Sequence, residues 1–507
     1  MPNADVRGRF VPYVLGAGLL ALALGAAVFT LYAVLLRERF LGFAATTIVT
    51  LPLGLMLRGR GRSGAEPSRR EALVAVLVSW LLLPTLSAAP YVIDGGMSVL
   101  NAVFESMSGF TTTGATVLTD FSTFGKALFM WRASSQWVGG IGILVLFIAV
   151  FPQLAIAGRQ LFFTEAPGPT EERLTPRLRN TAVAVLSVYS ALTLACAIGY
   201  RLAGMSSYDA VAHALTTLAA GGFSPNGLSF AGFQSSGMEW VAILFMFFAG
   251  ANFALLYRAA TGRPRDLLRD AELRTYTLIL LTASGVLTLL LVGRYSSLDA
   301  IRHSLFQVAS IVTSTGYASA DFALWSLPAQ MLLVILMFVG GCAGSASGGV
   351  KVMRWLVLAK GTSRELIHAL HPRAVLPVRV GARTVPEEVV RAVAAFLTLY
   401  IGLFAVTTLV LVMLGADFVV AFTAAISCLG NVGPGLESIG PMASFADLHP
   451  ISRGLLTFVM YAGRLEVVTV FVVFTPGWWR SPHRRTSVPR SSSRREDAAS
   501  SMRRAAS

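Results

Sequence analysis

The chain has 507 residues, of which 55% are hydrophobic and only 13% are charged. Soluble domains carry about 25% charged residues, so this composition excludes an ordinary soluble protein and indicates a membrane protein. The formal net charge of +15 does not indicate nucleic-acid binding, because the basic residues lie between apolar runs and in the C-terminal tail rather than on a basic folded domain. The three cysteines are far apart and lack metal-binding spacing, so no disulfide framework is predicted.

Long apolar segments follow one another along the chain, and a membrane-spanning helix needs about 20 mostly apolar residues. The candidate spans are 11–36, 41–57, 71–92, 127–150, 181–203, 237–257, 275–293, 329–350, 391–414 and 454–475. The first is longer than the core of a signal peptide, which is about 7–15 residues. We therefore expect it to be a retained membrane span.

Basic residues separate these spans on alternate sides. Segments 58–70, 258–274 and 351–391 are rich in Arg and Lys, whereas 93–126, 204–236, 294–328 and 415–453 contain very few. The positive-inside rule places the first set in the cytoplasm and the second set outside, which puts both termini in the cytoplasm. The Arg/Ser-rich tail, 480–507, is expected to be disordered and cytoplasmic.

The outward segments share an internal pattern. Each contains a semi-apolar stretch of helix length, then a turn rich in Thr, Ser and Gly, and then the next span; this unit occurs four times after residue 70. The expected divisions are 1–70 for two N-terminal spans and a basic loop, 71–158, 159–264, 265–372 and 373–479 for repeats one to four, and 480–507 for the tail.

The four turns align on one glycine each, namely Gly114, Gly222, Gly316 and Gly433. Glycine lets a backbone aim successive carbonyl groups in one direction, and a dehydrated cation needs several oxygen ligands in place of its water shell. A single turn of this kind is compatible with an ordinary outward loop. Four turns at equivalent positions predict an ion path lined by backbone carbonyls.

Four motifs carry a resemblance to a known family. They are ESMSGFTTTGAT (105–116), SQWVGGIG (135–142), GGCAGSASGGVK (340–351) and GRLE (463–466). With them, nearly the whole chain resembles the Trk/Ktr/HKT superfamily of potassium transporters, and specifically the Trk-type potassium-translocating membrane subunit.

The resemblance implies an all-α membrane fold, with four membrane–pore–membrane repeats around a central pore and two extra transmembrane helices before them. Potassium is then the transported ion, and no organic cofactor is expected. The implied potassium filter is Thr112, Thr113, Gly114, Ala220, Gly221, Gly222, Ser314, Thr315, Gly316, Asn431, Val432 and Gly433. The second turn departs from the usual pattern, since Ala219 and Ala220 stand where Ser or Thr is typical.

A second Gly-rich segment, 340–349, lies in the span expected at 329–350. Each glycine costs a helix roughly 1 kcal/mol relative to alanine, so we expect a broken helix there, and the resemblance implies an intramembrane gate. The alternative is close helix packing through small residues. The implied gate residues are Gly340, Gly341, Gly344, Ser345, Gly348, Gly349, Lys351 and Arg464. Lys351 could equally be a cytoplasmic anchor.

Arg464 lies near the middle of the span expected at 454–475, where a charge costs about 2.5–3.5 kcal/mol on insertion scales. It should therefore face a cavity or a partner. The resemblance implies that it projects into the pore below the filter, and the alternative is a buried interhelical salt bridge. Glu466, two residues further on, lies on another face of a helix and is not expected to pair with it.

Two other polar residues precede the turns. Glu105, in the first short helix, either attracts cations or fixes the loop by hydrogen bonds, and the second interpretation is favoured. His213, at the matching place in the second unit, is expected to be structural.

The function expected from these features is potassium uptake across the bacterial inner membrane, driven by the membrane potential. The resemblance implies a homodimer in membrane lipid and a cytoplasmic nucleotide-binding regulatory ring. Three alternatives stay open: a symporter that couples potassium to protons or sodium, a sodium-permeable member of the same superfamily, and a polytopic membrane enzyme. The last would need a convergent His, Asp and Ser cluster, which the sequence does not offer.

Overall fold

The computed structural model describes residues 10–61, 68–149, 174–381, 383–476 and 478. Over these residues the chain is predominantly helical, in agreement with the expected all-α membrane class. The strands in the described part are β1 (Arg379–Val380) and β2 (Arg383–Thr384), which form one short antiparallel hairpin. The tail expected at 480–507 and the repeat boundary at 158 and 159 lie outside the described residues.

The helices follow one another with short connections. In chain order they are α1 (Phe10–Leu35), α2 (Leu41–Arg60), α3 (Arg69–Leu86), α4 (Ala89–Ile93), α5 (Val99–Phe110), α6 (Lys126–Ala149), α7 (Leu174–Leu202), α8 (Ser207–Leu218), α9 (Ser236–Ala249), α10 (Phe253–Ala260), α11 (Arg265–Arg269), α12 (Ala271–Leu291), α13 (Ser297–Val312), α14 (Leu327–Leu336), α15 (Val352–Leu370), α16 (Glu387–Met413), α17 (Phe418–Gly430), α18 (Pro450–Arg464) and α19 (Val467–Phe471). The chain divides into a large unit, Met1–Val467, and a small C-terminal unit, Val468–Ser507. The small unit contains most of α19 and a 3-10 turn, Val472–Phe474.

Among the described residues, six helices are long and apolar enough to cross a membrane, or eight if each of two bent helix pairs is one span. This number indicates a multi-pass membrane protein. The segments expected as continuous spans at 237–257, 329–350 and 454–475 are instead interrupted. The first becomes α9 and α10, which are bent by 101°, because Asn252 caps a new helix by accepting from the amides of Ala254 and Leu255.

The N-terminal helices pack against the first repeat, as a retained membrane span should. Phe29 of α1, Phe43 of α2 and Trp131 of α6 form one aromatic cluster, with ring centroids 5.1–5.8 Å apart. The two helices approach closely at two glycines: an added Cβ on Gly16 would lie 2.8 Å from the carbonyl oxygen of Gly54. Small residues of this kind let membrane helices pack backbone to backbone.

Four short helices, α5, α8, α13 and α17, precede the four aligned turns. Three of them begin at a serine whose hydroxyl accepts a backbone N–H three residues later, namely Ser98, Ser206 and Ser296. These caps satisfy N–H groups that a helix terminus leaves free. Every one of the four helices points its C-terminal end at its turn, where the helix dipole is negative and favours a cation.

Replacement of Gly16 by Leu tests the close approach of α1 and α2. The new side chain would overlap the backbone of α2, so we expect a loss of about 1–3 kcal/mol and a lower melting temperature in detergent. Gly285 in α12 is the matched control, because an added Cβ there meets nothing within 4 Å. Equal melting temperatures for the two leucine variants would contradict this account of the packing.

Candidate ion pathway

The four pore turns, 111–114, 219–222, 313–316 and 430–433, share one hydrogen-bonding pattern. In each, the amide of the residue before the aligned glycine donates to the carbonyl five residues earlier, at 2.8–2.9 Å, and the preceding amide donates to a carbonyl three residues earlier, at 3.0–3.3 Å. This pair of bonds is the Schellman motif, which ends a helix at a left-handed residue. The four short helices therefore end in the same way.

The left-handed residue is unusual in all four turns. Its φ lies between 51° and 55°, and the residues that adopt it are Thr112, Ala220, Ser314 and Asn431. Only asparagine visits this region readily; the other three add strain of roughly 1 kcal/mol or more each. The aligned glycines also have positive φ, from 74° to 105°, whereas the residues between do not. Such alternation turns successive carbonyl groups toward the same side of the backbone.

The four turns meet in a closed ring. An ideal Cβ on each aligned glycine would clash with a carbonyl oxygen of the next turn. The pairs are Gly114 with Gly221, Gly222 with Thr315, Gly316 with Val432, and Gly433 with Thr113. The fourth pair returns to the first turn, so the sequence-aligned glycines encircle one axis.

A cavity of about 400 Å³ opens on one side of this ring. Its lining includes all four aligned glycines and the residues that follow them, such as Thr116 and Ser224, together with outer segments near Asn226 and Met442. The cavity is thus the mouth of the ring on the side of the expected outward loops.

A buried ion pair holds the first turn. Arg132 of α6 is 2% exposed and Glu105 of α5 is fully buried, with Nη2 and Oε1 2.5 Å apart. The same carboxylate accepts from the hydroxyl of Thr116 at 3.0 Å and from the amide of Val117 at 3.0 Å. Glu105 therefore fixes the loop, which agrees with the favoured interpretation of its role.

His213 is also structural. Its ring is fully buried and lies 2.8 Å from the carbonyl oxygen of Asp209 and 3.0 Å from the hydroxyl of Ser224. The ring packs edge-on against Phe230. Both nitrogens of the His213 ring therefore have a hydrogen-bonding partner.

On the other side of the ring lies the Gly-rich loop, 337–351, which separates α14 from α15. The loop contains the expected gate residues Gly340, Gly341, Gly344, Ser345, Gly348, Gly349 and Lys351, and its backbone is not helical. The expected break in the helix is therefore present. The amide of Gly348 donates to the hydroxyl of Ser314 at 2.5 Å, which connects the loop directly to the third turn.

Broken helices supply the acceptors that hold this loop. The carbonyl oxygens of Ala249 and Gly250, freed where α9 ends, accept from Ala346 at 3.2 Å and Cys342 at 2.8 Å. Glu272 of α12 links the middle of the loop to the start of α15, since one carboxylate oxygen accepts from Ala343 at 2.7 Å and from Met353 at 3.0 Å. Most residues of the loop are buried.

Arg464 ends α18 beside the loop and is 3% exposed. Its Nη1 donates to the carbonyl of Ala346 at 2.9 Å, while Nε and Nη2 have no partner within the described residues. Glu466 pairs instead with Arg354, at 2.6 Å; it does not pair with Arg464, but the reason differs from the expected one, because Glu466 lies in the break between α18 and α19 and not on a helix face. The interhelical salt bridge considered for Arg464 is absent from the described part of the chain.

Lys351 lies inside the protein and is 6% exposed. Its ammonium group donates to the backbone carbonyl and to the hydroxyl of Ser347. A cytoplasmic anchor would extend into solvent, so this geometry fits a residue that stabilises the loop from within.

Two carboxyl groups in the segments expected to face outward have lowered pKa values. The hydroxyl and amide of Ser122 hold the pKa of Asp120 below its ordinary value. The hydroxyl of Ser296 and the guanidinium of Arg302 do the same for Asp299. Asp120 accepts from the amide of Ser122 in a turn, and Asp299 lies in the first turn of α13 and pairs with Arg302.

Several residues at this site have no marked signal in the sequence. Arg132 and Glu272 are each one of two charges in a mostly apolar helix, and their partners lie 27 or more residues away. A charge at membrane depth that needs a partner is the only indication that could have found them.

The Glu105–Arg132 pair gives a direct stability test. Glu105→Gln leaves the Arg132 charge buried without a counter-charge, which we expect to cost about 3–5 kcal/mol and to lower the thermal unfolding temperature. Glu365→Gln, the same chemical change at an exposed pair, should cost at most about 1 kcal/mol. The double variant Glu105→Leu/Arg132→Met should lose less than Glu105→Gln, and a greater loss would contradict the ion-pair account.

Known proteins resemble this chain over most of its length. The Trk system potassium uptake protein TrkH of Vibrio parahaemolyticus is 38% identical over 449 residues, which cover 87% of this chain and 92% of that protein. TrkH of Escherichia coli strain K12 is 36% identical over 446 residues, or 86% of this chain and 92% of the relative.

A solved structure also resembles this chain over most of its length. The crystal structure of the potassium transporter TrkH from Vibrio parahaemolyticus matches with a TM-score of 0.83 at 36% identity, and the match covers 93% of this chain and 99% of that one. Residues 40–478 match the TrkH family, which is described as cation transport protein. This chain therefore belongs to the TrkH family of cation transport proteins.

Proposed function

We propose that this protein takes up potassium across the bacterial inner membrane, through the ring formed by its four pore turns. The observation that carries the proposal is the closed cycle of contacts between each aligned glycine and a carbonyl of the next turn. The relatives named above are potassium uptake proteins. A membrane potential contributes about 2.3 kcal/mol per charge per 100 mV, which is sufficient to drive a cation inward.

In this proposal the filter ligands are the backbone carbonyls of residues 112–114, 220–222, 314–316 and 431–433. Two features of the turns support it: positive φ values alternate with ordinary ones, and four helix C-termini point at the ring. Partial negative charge at those termini compensates part of the lost hydration of a cation. The repeat boundaries stated for the sequence, and the orientation with both termini in the cytoplasm, belong to the same proposal.

The proposed gate is the Gly-rich loop together with Lys351 and Arg464. Its support is the position of the loop directly against Ser314 of the third turn and the charge of Arg464 beside it. Two guanidinium nitrogens that have no partner among the described residues leave positive charge available to oppose a cation below the ring. Displacement of the loop would open the path.

The proposed assembly is a homodimer in membrane lipid that binds a cytoplasmic nucleotide-binding regulatory ring. The support is the family membership and the basic segment at 351–391. In this assembly the ring binds the nucleotide, and the membrane subunit has no organic cofactor.

Sodium permeation is the second candidate, because the second turn has Ala219 and Ala220 where hydroxyl groups are typical. Uptake of rubidium and of sodium into proteoliposomes, at a clamped membrane potential, separates the two candidates. We expect rubidium to be preferred, since all four turns keep the glycine.

Growth of an uptake-deficient bacterium at limiting potassium tests the filter. We expect the wild-type gene to restore growth and Gly114→Ser or Gly316→Ser to abolish it, because each new side chain would clash with a neighbouring carbonyl at a φ near 80°. Gly285→Ser, in open space, is the control and should restore growth. Undiminished growth with both filter variants would contradict the filter assignment, and no growth with the wild type would contradict potassium uptake.

Arg464→Ala tests the barrier below the ring. A unit charge near the path raises the energy of a passing cation by at least about 1 kcal/mol, so its removal should increase rubidium flux roughly fivefold. Arg453→Ala removes the same charge near the other end of α18, where Arg453 contacts Asn101, and should not increase flux. Unchanged flux in the Arg464 variant would remove this residue from the barrier.

A further inference from the structure

The four pore turns have one backbone pattern but are held by different side chains. In turn one, the hydroxyls of Thr111 and Thr113 are 2.7 Å apart and hydrogen-bonded. In turn three, the hydroxyls of Thr313 and Thr315 form the same bond at 2.7 Å. Each pair joins the residue three positions before the aligned glycine to the residue directly before that glycine. The pair therefore fixes the carbonyl group that its turn contributes to the ring.

Turns two and four lack this hydroxyl pair. In turn four, the side chain of Asn431 takes its place, because Nδ2 donates to Thr113 at 2.9 Å and to the carbonyl of Met460 at 3.0 Å. Turn two has Ala219 and Gly221 at the two positions, and neither can form a side-chain hydrogen bond.

Turn two is held from outside by Gln136 of α6, the outgoing helix of the first repeat. The side chain is fully buried; its Nε2 donates to the carbonyl of Gly221 at 2.6 Å, and its Oε1 accepts from the amide of Phe223 at 3.1 Å. One amide group therefore bridges the two residues on either side of the aligned glycine, Gly222.

Gly221 and Gln136 are matched in shape. An ideal Cβ on Gly221 would lie 2.5 Å from Cδ and 2.8 Å from Nε2 of Gln136, which are among its three nearest atoms. The φ of Gly221 is not positive, so its backbone does not require glycine. The other three turns carry Thr or Val at this position. Contact with Gln136 is thus the reason that a glycine is needed.

A second residue of α6 extends the same contact. Arg132, one helical turn before Gln136, donates to the carbonyl of Ser224 at 3.3 Å and lies with its guanidinium 3.8 Å from the ring centre of Phe223. Helix α6 therefore contacts turn two and the residues that follow it at Gly221, Phe223 and Ser224.

We propose that Gln136 is a specificity-determining positioning residue for cation selection, acting on the Gly221 carbonyl of turn two in place of the missing hydroxyls. The inference rests on the proposed function, because it concerns the same ring. A ring of carbonyls favours potassium only while its ligand number and spacing are maintained. Without the Gln136 amide, turn two loses the side-chain contact that resists contraction around the smaller sodium ion.

The first test compares two glutamine variants. Gln136→Met keeps side-chain volume but removes both hydrogen bonds, and we expect the ratio of rubidium to sodium uptake in proteoliposomes to fall at least about fivefold, the factor that corresponds to the loss of one neutral hydrogen bond. Gln330→Met is the matched control, since Gln330 donates to the carbonyls of Ala323 and Trp325 outside the pore turns. Its ratio should equal that of the wild type.

The second test is a double-mutant cycle. Gly221→Ala should lower the ratio in the wild-type background, because its methyl group displaces Gln136, but should have no additional effect in a Gln136→Ala background, where space exists. Equal effects of Gly221→Ala in both backgrounds, or an unchanged ratio in Gln136→Met, would overturn the inference. Wild-type protein that fails to take up rubidium would instead overturn the proposed function.

Discussion

The close approach of each aligned glycine to a carbonyl oxygen of the neighbouring turn, which leaves no space for a Cβ, is the constraint on which the rest of the structure depends. The contact occurs four times and closes on itself, so no turn can move inward or outward without displacing its neighbours. Glycine is required at these positions for two reasons, the positive φ and the close approach. The short helices, their caps and the long helices around them hold four such turns at one depth.

The four pore turns share one backbone pattern but are held by different side-chain contacts. Hydroxyl pairs hold turns one and three, an asparagine side chain holds turn four, and residues of α6 hold turn two. A ring built from four turns of a single chain can differ in this way, since each turn has its own sequence. The four turns thus share their backbone geometry and differ in the side chains that support it.

The sequence predicted the family, the all-α membrane class and the transport role, and the match over residues 40–478 confirms the resemblance and shows a transporter rather than an enzyme. The filter and gate residues stay predictions about function, although the structure brings them together.

The interruptions after Ala249 and Arg464 were not predicted, because apolar composition continues through both. Left-handed Thr112, Ala220 and Ser314 were not foreseen either, since residue type disfavours that conformation. The contacts of Glu272 and Arg132 were not predicted, because their partners are distant in sequence.

The broken helices explain how irregular backbone is tolerated at membrane depth. Backbone groups in a membrane interior must find partners, and here the carbonyls freed at the end of α9 and the carboxylate of Glu272 satisfy four amides of the loop and its following helix. If the loop moves as proposed, those groups lose their partners together. Movement is then possible only where water replaces them, so the space that receives the displaced loop must be wet. In the proposed gating, an open path and a hydrated loop would accordingly be the same state of the protein.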